Sequence, residues 1–139
     1  MPNRRPRAFC IVVVAALLGA VGCNQSSRPP LAPVRGTVTY DGKAVQHGRI
    51  VFSPPDRRPA YGRIVDGKIV EVSSHVPDDG APVGRYSVGI TSYDPPEDMY
   101  SKPGPSLLPA LYANPETSGL VVDIKAGRLN TLDLRLESP

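Results

Sequence analysis

Apolar and polar residues alternate along most of this chain, and that period of two constrains its fold more than any other feature. Successive side chains of a β-strand point to opposite faces, so alternation marks a strand with one buried face. In 34–40, Val34, Val38 and Tyr40 share a face, and Asp41-Gly42 then marks a turn. Gly48-Arg49-Ile50-Val51-Phe52 reads as a second strand, stopped by Pro54-Pro55. Two β-prone runs, 60–65 and 68–72, flank Asp66-Gly67, the strongest short-range hairpin signal. Asp78-Asp79-Gly80-Ala81-Pro82 reads as a loop. Tyr86, Val88 and Ile90 share a face of 85–92, and Leu120, Val122 and Ile124 share a face of 120–125. Leu132, Leu134 and Leu136 do the same in 131–136, with Ala126-Gly127 opening the turn before them. No segment after residue 23 carries a helical pattern. The expectation is an all-β domain of about seven short strands in two antiparallel sheets packed face to face, a β-sandwich. Its expected core is Val38, Ile50, Phe52, Tyr86, Val88, Ile90, Leu120, Val122, Ile124, Leu132 and Leu134.

The first 23 residues follow a different logic. Arg4, Arg5 and Arg7 make a basic start, 11–18 is an almost unbroken apolar run, and Gly19-Ala20-Val21-Gly22 is a small-residue stretch ending at Cys23. That order of zones is that of a secretory signal. The apolar run is shorter than the about 20 residues a membrane span needs. A Cys directly after the small residues resembles a bacterial lipobox. The resemblance implies that 1–22 is a signal helix, and that Cys23 is diacylated and becomes the first mature residue. Ala20 departs from the pattern, which more often has Leu three residues before the Cys. An ordinary cleaved signal or a short anchor is the rival reading. Asn24 follows Cys23 where inner-membrane retention would have Asp, so the resemblance favours the outer membrane, facing the periplasm or the cell surface.

With the signal removed, about 115 residues remain, enough for one domain. The formal charge of +3 comes from 16 Lys and Arg against 13 Asp and Glu; without Arg4, Arg5 and Arg7 the two signs are equal. A chain of near-zero net charge lacks the basic excess of a nucleic-acid binder. Arg57-Arg58, the one adjacent basic pair after Cys23, reads as a solvated loop. On this reading Cys10 lies in the signal and Cys23 takes lipid, so no cysteine remains for a disulfide and the domain stands on its core alone, or on oligomers or ligands. Residues 23–33 comprise the lipidated Cys and a polar, Pro-rich tether. At about 3.1 Å per residue this tether holds the domain roughly 30 Å from the lipid surface. The domain itself spans 34–137.

One segment interrupts the strand pattern. Residues 93–118 are rich in proline, and a loop this long is functional, ordered by its own packing, or disordered. Leu107, Leu108, Leu111 and Tyr112 form an apolar cluster expected to hold part of it to the sandwich, through one helical turn. Tyr93 and Tyr100 are the candidate ligand-contact residues, because carbohydrate sites want exposed aromatic platforms and this chain has no Trp. Tyr112 is assigned to packing, with its hydroxyl at the rim.

Val34-Arg35-Gly36-Thr37-Val38-Thr39-Tyr40-Asp41-Gly42-Lys43-Ala44-Val45 resembles the opening of carboxypeptidase-regulatory-like or transthyretin-like β-sandwich modules. Val83-Gly84-Arg85-Tyr86-Ser87-Val88 resembles a later strand of the same modules. Leu108-Pro109-Ala110-Leu111-Tyr112, followed by Glu116-Thr117-Ser118-Gly119-Leu120, is similar to the small lipoproteins of planctomycete bacteria. The resemblance implies a fold and a location, and it carries over no catalytic residue.

Other chemistries find little support in the residue pattern. His47 and His75 lack metal-ligand spacing, and Asp78-Asp79-Gly80 lacks the later acidic step of a calcium loop. No nucleophile elbow is present. A transthyretin-like fold can host a ureide hydrolase, but that family ends in Tyr-Arg-Gly-Ser and this chain ends Arg135-Leu136-Glu137-Ser138-Pro139. Lys43, Asn130 and Glu71 have the residue types of an isopeptide cross-link, yet Lys43 follows a turn and is expected in solvent. No metal, cofactor or catalytic residue is assigned. The expected role is non-enzymatic, structural or binding, at the cell envelope. The alternative is a recognition module for a polysaccharide or an envelope protein, using loop 93–118. A hydrolase is the third reading.

Overall fold

Two Asp-Gly pairs bend the chain into hairpins. Asp41 and Gly42 have φ of 48° and 77°, and Asp66 and Gly67 have φ of 49° and 74°. Positive φ at both central residues is the tight-turn geometry whose twist matches that of the strands it joins. The computed structural model describes residues 28–139; Cys23 and the signal-like stretch before it lie outside the described residues.

The strands are β1 (Leu31–Ala32), β2 (Val34–Tyr40), β3 (Lys43–Ala44), β4 (His47–Ser53), β5 (Ala60–Val65), β6 (Lys68–Ser73), β7 (Ala81–Pro82), β8 (Gly84–Thr91), β9 (Val121–Ile124) and β10 (Asn130–Leu136). One 3-10 turn, Ala110–Ala113, precedes β9. The fold is all-β and sandwich-like, as the alternation predicts. Its two faces belong to one continuous sheet in the order β10-β2-β6-β5-β4-β8-β9, curled into a half-barrel, with β3 paired to β2 and a separate β1–β7 ribbon. All the pairings are antiparallel except β10 with β2, which run parallel from Asn130 beside Val34 to Leu136 beside Tyr40.

The period-two residues do line the interior. Val38, Ile50, Phe52, Tyr86, Val88, Ile90, Val122, Ile124 and Leu134 are buried, and Leu120 and Leu132 are packed against them partly buried. Phe52 and Tyr86 meet edge to face, ring centroids 6.3 Å apart. In β6 the inward residues are Ile69 and Val72, three apart, which alternation alone forbids. The register between β5 and β6 shifts between Tyr61 and Arg63, and Glu71 takes φ of 52°. Two residues of β6 thus oppose Gly62 alone, a β-bulge that restores the inward phase.

Three expectations change. Leu31 and Ala32 are not tether: they pair with Pro82 and Ala81, Ala32 is buried, and Val83 N–H donates to the Pro30 carbonyl at 2.9 Å. The folded unit therefore begins near Pro30 rather than Val34. The Ala126-Gly127 turn does not make a hairpin, because β9 and β10 lie at opposite edges of the sheet. Leu107 leaves the cluster, 43% exposed, because it follows the Tyr93–Ser106 bridge at the rim. Leu108 and Tyr112 are buried and Leu111 is packed against the core, held by the 3-10 turn.

Candidate functional site

Alternation in β4 and β5 sends Ile50, Phe52, Ala60 and Ile64 inward, so Arg49, Tyr61 and Arg63 are left on the outer face. Register then sets them side by side: Arg49 lies opposite Arg63, and Tyr61 opposite Ser73 of β6. Like charges directly opposite each other are destabilising on a sheet. The bulge answers this by turning Glu71 outward, where Arg63 Nη1 donates to its Oε2 at 2.9 Å. Arg49 makes no side-chain hydrogen bond or ion pair among the described residues. Together with Ser73, His75 and Val76 these side chains line an open groove of about 450 Å³.

The wall of this groove is a loop built on one buried carboxylate. The Asp79 side chain is 8% exposed. Its Oδ1 accepts from Ser74 N–H at 2.6 Å, and its Oδ2 accepts from His75 and Val76 N–H at 3.0 and 3.1 Å. Burial raises the Asp79 pKa, but the three N–H donors and the nearby His75 outweigh it, and the net direction is down. Gly80, φ 88°, then brings the chain so close to the Ala32 carbonyl that a Cβ there would collide with it.

A second groove, about 580 Å³, adjoins the first through Arg49 and runs under the start of the long loop. It contains His47, Tyr93, Asp94 and three prolines. His47 Nε2–H donates to the Tyr93 carbonyl at 2.8 Å, and the Ser92 hydroxyl donates to the His47 carbonyl at 2.6 Å. The two bonds tie the loop's first residue to β4.

Tyr93 therefore lies in a groove, 43% exposed. Tyr100 does not join it: its side chain is 94% exposed at the loop tip. Asp98 fixes that tip by accepting from the N–H groups of Tyr100 and Ser101 at 2.8 and 2.9 Å, which lowers its pKa. The platform that faces Arg49 is instead Tyr61, 47% exposed, which the sequence reading passes over. Its signal is there: Ala60, Gly62 and Ile64 claim the inner face of β5, so Tyr61 must be outside.

The other constellations stay apart. His47 stands at the loop groove, whereas His75 has Nδ1 3.9 Å from Asp79 Oδ2 at the opposite end of the strands. Lys43 pairs with Tyr40 and Asn130 with Val34, which puts them about 20 Å apart along β2 at 3.3 Å per residue. Asn130 is spent otherwise: its Nδ2 donates to the Lys125, Arg128 and Pro33 carbonyls, and its Oδ1 accepts from Lys125 N–H. Among the described residues no three His, Cys, Asp or Glu side chains gather as a metal site would require.

The joined grooves offer two tyrosine rings, a guanidinium without a carboxylate partner, serine hydroxyls and two imidazoles, all on strands or strand-anchored loops. Such a surface can stack a sugar ring or a planar side chain and donate to its oxygens. In comparisons with known proteins, the chain matches no family model, no curated protein and no solved structure.

Proposed function

We propose that this chain is a lipid-anchored protein of the bacterial cell envelope, held through Cys23, whose transthyretin-like β-sandwich has a non-enzymatic, structural or binding role. The observation that carries the reading is continuity. The basic, apolar and small-residue zones end at Cys23, and a linker of six residues, 24–29, separates it from Pro30, whose carbonyl is the first group bonded into the fold. A domain presented so close to its anchor suits a module displayed at a membrane, facing the periplasm or the cell surface. Metabolic labelling with palmitate tests it. The wild-type chain takes label and fractionates with membranes, and Cys23→Ser takes none and is released or stays unprocessed. Equal labelling of both chains refutes the anchor.

The joined outer grooves favour a second reading, recognition of an envelope polysaccharide or protein. They set Tyr61 and Tyr93 on either side of Arg49, on rigid β4 and β5 rather than on the loop alone. Retention of the protein on cell-wall polysaccharide, lost in Tyr61→Ala and Arg49→Ala and kept in Tyr100→Ala, supports it. Equal retention of all the variants rejects it.

A further inference from the structure

The domain's charges balance in number but not in space. Register sorts the strand ends. Pro33, Ser53, Ser73, Gly84, Ile124 and Asn130 lie at one end of the sheet, and Tyr40, His47, Val65 and Thr91 at the other. At the first end stand Arg28, Arg57, Arg58, Lys125 and Arg128, with His75. Of the carboxylates there, Asp56 is engaged with Arg57 at 3.0 Å, Asp78 with Arg35 at 2.9 Å, and Asp79 with its three N–H groups, while Asp123 and Glu116 stand beside the further cation Arg85 without an ion pair. Arg28, Arg58, Lys125 and Arg128 have no carboxylate within 4.0 Å among the described residues. Arg28, Arg57, Arg58 and His75 close on one groove of about 220 Å³ beside Pro82. At the far end the balance is reversed: Asp41, Asp66, Asp94, Glu97 and Asp98 outnumber Lys43, Lys68 and Lys102.

The basic end is also the end at which the chain enters the domain. Arg28 is five residues after Cys23, a covalent reach of about 18 Å at most. We infer that this face docks on anionic phospholipid headgroups, so that the domain sits against the bilayer with the first part of the long loop, 93–104, and the acidic end turned outward. The inference rests on the anchored reading above. It adds an orientation, and an electrostatic contact beside the diacylated anchor. A phosphate diester fits the groove's three guanidinium groups as a hydrogen-bonding anion. The repelled acidic end enforces the same direction.

The test uses residues 28–139, which carry all the strands and core residues described above, so that no acyl chain contributes. Co-sedimentation is measured with vesicles of mixed phosphatidylglycerol and phosphatidylcholine, and with phosphatidylcholine alone. Each basic residue held at an anionic surface is worth about a five-fold change in partition. Arg28→Ala with Arg58→Ala therefore lowers partition onto the mixed vesicles about 25-fold, and Lys43→Ala with Lys68→Ala leaves it unchanged. Binding fades between about 0.1 M and about 1 M salt as screening shortens. Equal binding to neutral vesicles, or equal loss in the two double variants, overturns the inference. So does retention on dextran sulfate without vesicle binding, which would make the face a polysaccharide site. Palmitate labelling of Cys23 is independent of all these outcomes, so failure of docking and failure of the anchor are told apart.

Discussion

Removing the charge of Asp79 isolates the bond set that holds the 74–80 loop. Three N–H groups end on its carboxylate, and hydrogen bonds to a charged acceptor are worth about 1.5–3 kcal/mol each. Two of them share Oδ2, and His75 and Val76 are exposed enough to turn to water once released. Asp79→Ala is therefore expected to cost about 2–4 kcal/mol rather than the full sum. Asp79→Asn keeps the shape and one carbonyl oxygen, and is expected to cost about 1–2 kcal/mol. Either is a sizeable part of the about 5–15 kcal/mol that holds a domain together.

The pH dependence gives the sign. The folded pKa of Asp79 lies below its ordinary 3.8, so its contribution is complete above about pH 4 and is lost as pH falls through the lower folded value. Urea titrations of wild type and Asp79→Asn from neutral to acid pH should show a stability difference that is constant down to about pH 4 and then narrows. Asp41, Asp98 and Asp133 also have lowered pKa values, Asp41 through the Ser138 hydroxyl and Asp133 through Arg135, but both proteins keep them and they cancel in the difference. A difference that stays constant into acid refutes the reasoning, since it would come from packing and not from the charge.

Three further outcomes check the fold. Leu134→Ala should cost about 2–5 kcal/mol in a denaturant titration and Arg135→Ala under about 0.5, because the first is buried and the second exposed; equal costs reject the register of β10. Gly62→Ala should destabilise by about 1–3 kcal/mol, because a Cβ would meet Ile50 Cγ2 at 2.9 Å and Val72 Cγ2 at 3.0 Å; a neutral substitution would mean that the bulge does not bring β6 in over Gly62. Hydrogen exchange should divide the long loop, fast over 94–103 and slow at Tyr112, whose hydroxyl accepts from Glu137 N–H and donates to the Glu137 carbonyl at 3.0 Å; uniform fast exchange rejects the docked 3-10 turn.

Strands and turns were legible because their causes are local. Alternation placed Tyr86, Val88 and Ile90 inside, and Asp66-Gly67 built the hairpin its φ values require. The parallel pairing of β10 with β2 was not legible, since nothing in Leu132 or Leu134 says which strand lies alongside. Nor was the capture of Leu31 and Ala32, which depends on Gly80 letting β7 approach. The bulge at Glu71 hid in an ordinary run of strand-forming residues, and its only trace is the three-residue step from Ile69 to Val72. The candidate site was half legible. Its loop position points to Tyr93, but the loop's partner is the outer face of β4 and β5, where parity exposes Tyr61 and Arg49. The same exposure argument points to Tyr100, and exposure alone does not bring a residue to a groove.

Net charge misleads for the same reason that parallel pairing does: both depend on where the topology sends distant segments. Arg28 comes from the entry strap, Arg57 and Arg58 from the β4–β5 connection, and Lys125 and Arg128 from the crossover between the sheet's two edges. None of these is a basic run, yet all end at one end of the half-barrel. Two polar side chains tie the crossover, the strap and the His75 loop in place at that end. Asn130 joins the crossover at Lys125 and Arg128 to the strap at Pro33, and Asp79 fixes the loop that carries His75 and leads through Gly80 to the strap's partner strand. The groups that close this end of the sheet against water thus also fix the spacing of its cations. Loosening either of them should blur the charged face before the strands themselves melt, because the core residues of β4, β5 and β8 touch neither side chain's hydrogen bonds.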